Sequence, residues 1–308
     1  MKKKKDDRRS TADTEARIGL EIKRIWADDL FQRRGEAEML HAYIVSAARR
    51  ATNVEDQRAF TIAIDAGYGE GKTFFLRRLA AHLATRHPVA FVDAWADDII
   101  DEPLTALAAT LKRALEPLLA KSPTVRERWK EVLEKTSVIA GLAARGIVKR
   151  GFGLLITSAA VEAAAEVLQG LGEEVQSAVQ EDLQTSGSDM VSSSVDFVAA
   201  PQRLMQKRID AFEEGRAAVA DLKASLAALV AALGEKDQSP PIVIVVDELD
   251  RCRPPYAIKL LEEIKHLFDV PGLVFVFGMH GSQLAHSVAG RLRPEFRRPR
   301  ISAPVHPA

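Results

Sequence analysis

One segment constrains this chain more than any other. Residues 61–65 read as a short apolar strand and residues 67–71 as a turn, and in residues 73–83 Phe75, Leu76, Leu79, Ala80 and Leu83 form one helical stripe. The joint between strand and helix is Ala66-Gly67-Tyr68-Gly69-Glu70-Gly71-Lys72-Thr73. A strand, glycine loop and helix in this order call for a parallel sheet, because the chain must cross over through the helix before the next strand can pair.

The loop also dictates a chemistry. A triphosphate needs several N–H donors at close range, and residues without side chains let the backbone approach and take positive φ. Gly67, Gly69 and Gly71 supply that cradle. Lys72 is placed to reach the β- and γ-phosphates, Thr73 to ligate Mg²⁺ through its hydroxyl, and the helix N-terminus to add its dipole. Gly67, Tyr68, Gly69, Glu70, Gly71, Lys72, Thr73 and Phe74 form the expected nucleotide-contacting stretch. Ala66 stands where the strict signature has glycine, so the match is to the relaxed form.

A cradle of this kind needs an acidic partner, and residues 242–246 supply its scaffold. Ile242-Val-Ile-Val-Val246 is apolar at every position, as a parallel strand covered on both faces would be. Asp247 at its end is expected to hold Mg²⁺, and Glu248 to orient and deprotonate an attacking water. Asp250 and Arg251 come next in reach. His280 follows a further strand at 273–279, where it could sense the γ-phosphate. Trp95, after a strand at 89–93, reads as a packing residue, and Cys252 as a small buried side chain with no activating histidine near it in sequence.

Strands alternating with helices give an α/β fold, a mostly parallel sheet with helices on both faces and ligand at the carboxyl ends of the strands. Between the two nucleotide motifs, residues 122–240 form a large helical insertion. Within it Met205, Ile209, Phe212, Val219, Leu222, Leu226, Leu229 and Leu233 form an amphipathic stripe that ends at Gly234. Residues 186–194 read as a loop. Residues 1–15 are expected to be a disordered charged tail, and residues 16–60 to hold helices that precede the core.

Composition narrows the partners. Lys plus Arg and Asp plus Glu are both 43 in 308 residues, so no net field demands nucleic acid or an anionic surface. A single cysteine excludes an internal disulfide and suits a reducing cytosol, with the periphery of an inner membrane as the alternative. Residues 151–161 are uncharged, but a span needs about 20 apolar residues, which favours a buried or interfacial helix there.

Four places carry a family resemblance. They are the loop 67–73; Phe91-Val-Asp-Ala-Trp95 with Asp98 and Glu102-Pro103-Leu104; Asp247-Glu-Leu-Asp-Arg-Cys-Arg-Pro254; and Leu261-Glu-Glu-Ile-Lys-His-Leu-Phe268 running into the strand 273–279. Together they resemble the KAP family of P-loop NTPases, named after an animal ankyrin-repeat membrane scaffold and a plasmid-encoded phage-exclusion protein. The resemblance implies ATP and Mg²⁺ as ligands, slow hydrolysis, and Lys72, Thr73 and Asp247 as matching site positions. Many members are bacterial, some carry paired transmembrane helices between the two nucleotide motifs, and some serve in phage defence. A protein partner is implied but not specified, with self-association among the options. A nucleotide-gated scaffold with little turnover, or a non-functional fragment, are the alternatives to an ATPase.

Tyr68 stands where the family favours tryptophan, Glu248 where it favours a second aspartate, and His280 where an aspartate or asparagine is common. The larger departure begins at Gly290. There the family pattern continues into a fifth strand beside residues 61–65, whereas residues 290–308 are rich in Arg and Pro with no apolar period. With permissible codons, reading residues 290–306 one base later gives a text resembling the expected continuation. A frame shift or truncation near Gly290 is therefore expected.

Overall fold

The computed structural model describes residues 2–51, 58–144, 196–234 and 240–289. It divides into two compact units, one made of residues 1–133 with 222–308, the other of residues 134–221. The second unit falls within the expected insertion. Its described helical residues belong to the end of α6 (Pro123–Ala144) and the beginning of α7 (Asp196–Gly234), and Lys135 pairs with Asp221 at 3.1 Å. The loop expected at 186–194 and the uncharged stretch 151–161 lie outside the described residues. Among the described residues one segment, Ile209–Gly234, is long and apolar enough to cross a membrane, with 44% of its apolar window buried.

The first unit holds the sheet. Its strands are β1 (Phe60–Asp65), β2 (Val89–Asp93), β3 (Ile242–Asp247) and β4 (Leu273–Met279), ordered β1-β4-β3-β2 and parallel throughout. The α/β fold expected from the sequence is the fold observed. Register sets Ile64 against Gly278, Val246 against Phe277, and Asp93 against Asp247.

Parallel strands need covered faces, and two helical layers supply them. On one face α2 (Arg34–Ala51) and α3 (Lys72–Ala84) join the end of α1 (Lys2–Ile25) and Trp26. There Ile44, Phe75, Leu76, Leu79 and Leu83 pack with Val243, Val245, Val274 and Val276. Successive side chains alternate across a strand, so Ile244, Val246, Phe275 and Phe277 turn to the other face, where they are equally buried. β2 runs into the one-turn helix α4 (Ala94–Asp97); on that side α5 (Pro103–Lys121) packs on β2, and α8 (Pro254–Leu267) packs on α5.

Burial differs across the sheet. All six residues of β3 are buried, whereas β1 alternates between half-buried and exposed, with Thr61, Ala63 and Asp65 open. Among the described residues β1 pairs only with β4 and is an edge. Residues 290–308, expected to depart from the family pattern, lie outside the described residues.

Residues 2–15 correct an expectation, because they begin helix α1 rather than forming a structureless tail. Nothing in that stretch breaks a helix, since it contains neither Gly nor Pro. Glu15 anchors the helix farther along, its carboxylate accepting from Arg86, in the turn just after α3, at 2.8 Å.

Candidate nucleotide site

The phosphate loop leaves β1 at Asp65 and enters α3 at Lys72. Gly69 and Gly71 have φ of 81° and 77°, left-handed values that any Cβ would strain. Gly71 is the N-cap of α3 and provides no side-chain acceptor, so the first turn's N–H groups are left to an external anion. Two contacts close the loop on itself. The Gly67 amide donates to Glu70 Oε2 at 2.8 Å, and Lys72 Nζ donates to the Ala66 carbonyl at 2.7 Å. Lys72 thus lies against its own loop rather than extending over it. Thr73 and Phe74 sit half-buried in the first turn of α3.

The acidic half lies at the end of β3. Asp247 is 1% exposed; its Oδ1 accepts from the Glu248 amide at 2.9 Å, while Oδ2 is buried without a partner among the described residues. Glu248 has φ of 59°, a left-handed turn that ends the strand and starts the short 3₁₀ helix Leu249–Arg251. Its Oε1 meets Arg251 Nη1 at 2.9 Å. Burial pushes the Glu248 carboxyl above its ordinary range; Arg251 opposes the shift, and Asp93, Asp247 and Asp250 add to it. Asp250 is 6% exposed and neither carboxylate oxygen has a hydrogen-bond partner among the described residues. The Tyr68 phenol lies near enough for Asp250 to help burial push its pKa up, though outside hydrogen-bonding geometry.

The two halves meet because β4 runs between β1 and β3. Gly278, near the end of β4, permits the approach. A Cβ there would fall 2.1 Å from Leu76 Cδ1 of α3 and 2.9 Å from Asp247 Oδ1, so only glycine lets α3 and the acid come this close. His280 follows β4 and faces the loop, its ring 5.6 Å from that of Tyr68. Asp65, at the end of β1, accepts from the Gly281 amide at 2.9 Å and ties the loop's origin to the end of β4.

Mg²⁺ fits this donor set. A buried carboxylate oxygen without a partner is costly, and a hard divalent ion is the kind of group that relieves it. The Thr73 hydroxyl and Asp247 are the residues that would hold the ion.

Lys72, Thr73, Asp247, Glu248 and His280 lie at the same end of the parallel sheet, together with neighbours to which the sequence reading gives no site role. Arg33 reaches in from the turn before α2 and donates to the Glu70 carbonyl at 3.1 Å; no local pattern marks it. Asp98 is 6% exposed and accepts from the Arg253 amide at 2.9 Å and from its Nε at 3.0 Å, joining the turn after β2 to the turn after β3. Both residues lie inside segments that carry the family resemblance. Trp95 corrects an expectation: it is 54% exposed, with the Arg251 guanidinium 6.0 Å from its ring centroid, and is not a packing residue. Cys252 is buried as expected, its thiol pushed up to about 12 chiefly by burial. A separate cavity of about 670 Å³, lined by Ile22, His41, Val45 and Arg50 among others, lies between the helices and touches neither the loop nor the acids.

The description "KAP family P-loop domain" matches residues 33–298. The chain belongs to the KAP family of P-loop NTPases. The match spans both halves of the site and the sheet between them, so nucleotide binding is the activity that family membership assigns to this geometry. No curated protein matches the chain.

Proposed function

We propose that this KAP-family chain binds Mg²⁺-ATP across the loop 67–73 and Asp247 and hydrolyses it slowly. The observation that carries the reading is the unpartnered, buried Oδ2 of Asp247, held beside the first turns of α3 by the absence of a side chain at Gly278. Thr73 and Asp247 would hold the Mg²⁺, which would supply positive charge against the phosphates.

The residues divide the remaining work. The amides of the loop and of the first turn of α3 receive phosphate oxygens, which requires the Glu70 carboxylate to give up the Gly67 amide. Lys72 exchanges the Ala66 carbonyl, a neutral acceptor, for a phosphate oxygen, so that acceptor as well as donor carries charge. Glu248 orients the attacking water and takes its proton, for which a carboxyl raised by burial is better suited than an exposed one. In the nucleotide-free chain its Oε1 is paired with Arg251 Nη1 at 2.9 Å, and the pair must open before Glu248 can act as a base.

Two variants test this. Lys72→Ala should abolish nucleotide binding, while Glu248→Gln should keep binding and lose phosphate release. A Glu248→Gln chain that releases phosphate at the wild-type rate overturns hydrolysis by this route. The second reading, a nucleotide-gated scaffold with little turnover, is favoured by the apolar residues beside the site. Trp95, Ile99 and Ile100 are 54%, 86% and 70% exposed, more apolar surface than a site for nucleotide alone requires. Binding without measurable phosphate release by the wild-type chain selects that reading. A cytoplasmic setting and a role in phage defence or signalling are part of the same proposal; plaque counts with wild-type and Lys72→Ala alleles test the defence role.

A further inference from the structure

Arg251 is engaged on three sides. Its Nη1 meets Glu248 at 2.9 Å, and its guanidinium carbon lies 5.7 Å from the Tyr68 ring centroid and 6.0 Å from that of Trp95. Tyr68 belongs to the phosphate loop, Trp95 follows β2, and Glu248 follows β3, so this side chain touches all three walls of the site. The Lys72 ammonium lies 5.8 Å from the same Tyr68 ring. The two cations therefore stand at nearly equal distances from one residue of the loop, one rooted in α3 and the other in the turn after β3.

Chemically the two differ. Lys72 is set at the start of the helix that receives the phosphates whichever nucleotide is bound, whereas Arg251 is held outward by a carboxylate and two aromatic faces. Its side chain is 43% exposed, against 16% for that of Glu248, so the guanidinium can swing while the carboxylate stays in place. Cation–aromatic contacts at an exposed site are weak, and an ion pair whose arginine stands half in solvent adds little more. A phosphate dianion offers a planar guanidinium two parallel hydrogen bonds, a stronger partner than either.

Resting on the nucleotide reading above, we propose that Arg251 reads the terminal phosphate. In the free chain it holds Glu248. When a triphosphate occupies the loop, the guanidinium transfers to the γ-phosphate and releases the Glu248 carboxylate toward water. A diphosphate lacks that group and leaves the ion pair in place. Arg251 is then the specificity residue that separates tri- from diphosphate, supplied from this chain's own turn after β3.

Titration of the full chain with fluorescent N-methylanthraniloyl derivatives of ATP and ADP in Mg²⁺ tests this without reference to turnover. The wild-type chain should bind the triphosphate more tightly. Arg251→Gln should weaken triphosphate binding about tenfold, the loss of one charge-assisted pair, and change diphosphate binding less than about twofold. Arg251→Lys, which keeps the charge but not the planar fork, should fall between. A second readout covers poor folding of the Gln variant: the part of the tryptophan emission that Trp95→Phe removes should change with ATP and not with ADP in the otherwise unaltered chain. Equal weakening of both nucleotides in Arg251→Gln, an unchanged ratio, or an identical Trp95 response to both overturns the inference while leaving the nucleotide reading intact. A wild-type chain that binds neither nucleotide overturns both.

Discussion

The loop half and the acidic half of the site are built to opposite standards. The loop hangs from β1, an edge strand among the described residues, whose Thr61, Ala63 and Asp65 are exposed. Its internal contacts, Gly67 to Glu70 and Lys72 to Ala66, are short-range and exposed or half-buried. The acids hang from β3, buried at all six positions and paired on both sides. Asp247 and Asp250 are 1% and 6% exposed, and the buried Asp98 joins the neighbouring turns through Arg253. A cradle held by weak self-contacts can be reshaped by its ligand at little cost, whereas an acid fixed in a packed interior keeps its position before the ligand arrives. Charge preorganised on one side and a conformable cradle on the other make a site that nucleotide completes.

The comparison breaks most severely at Gly278, where the halves touch. Gly278→Val drives a side chain into Leu76 and Asp247, and should cost about 3 kcal/mol or more of unfolding free energy by urea titration, with loss of nucleotide binding. The helices beneath the loop should respond to acid. His41 of α2 lies 3.0 Å from His87 and its pKa is held down to about 4, first by burial and then by His87 and His82; the nearby charges are Arg34, Glu38, Arg49, Arg50 and Arg86. Because the folded pKa lies below the unfolded value of about 6.5, its contribution is present above pH 6.5 and is lost as pH falls toward 4. Discounted for a half-exposed ring, the loss should be roughly 1.5 kcal/mol. His41→Gln should flatten that part of the stability profile.

Smaller effects sharpen the contrast. Asp247→Asn removes a buried charge whose Oδ2 has no partner among the described residues, yet keeps an oxygen for the Glu248 amide. It should raise stability by about 1 kcal/mol while abolishing the dependence of nucleotide affinity on Mg²⁺, read by calorimetry with and without the ion. Glu70→Ala on the loop side should move stability by less than about 0.5 kcal/mol and tighten ATP binding two- to threefold, since it frees the Gly67 amide from an exposed competitor. A Glu70→Ala effect as large as that of Gly278→Val would show that the loop is as rigid as the acids.

Much of this was legible in residue order. The strands at 89–93 and 273–279 have the bounds expected, because unbroken apolar runs between Pro and Gly punctuation leave little choice. Residues 2–15 were misjudged because charge density was read as a solvated tail, when a run without Gly or Pro can extend a helix anchored farther along. Trp95 was misjudged because an aromatic residue at a strand end is usually packed, and only the fold turns it outward to Arg251.

By itself the sequence determined the α/β class, the phosphate cradle and its paired acid, because local periodicity and fixed spacing encode each one within a few residues. Only the tertiary structure decided what joins them. The order β1-β4-β3-β2 places Gly278 between Leu76 and Asp247, brings Arg33 to the loop from one side, and sets Arg251 between Tyr68 and Trp95. Those neighbours lie far apart in the chain, and contacts of that kind are fixed by which strands pair and which faces are buried, quantities no local pattern contains.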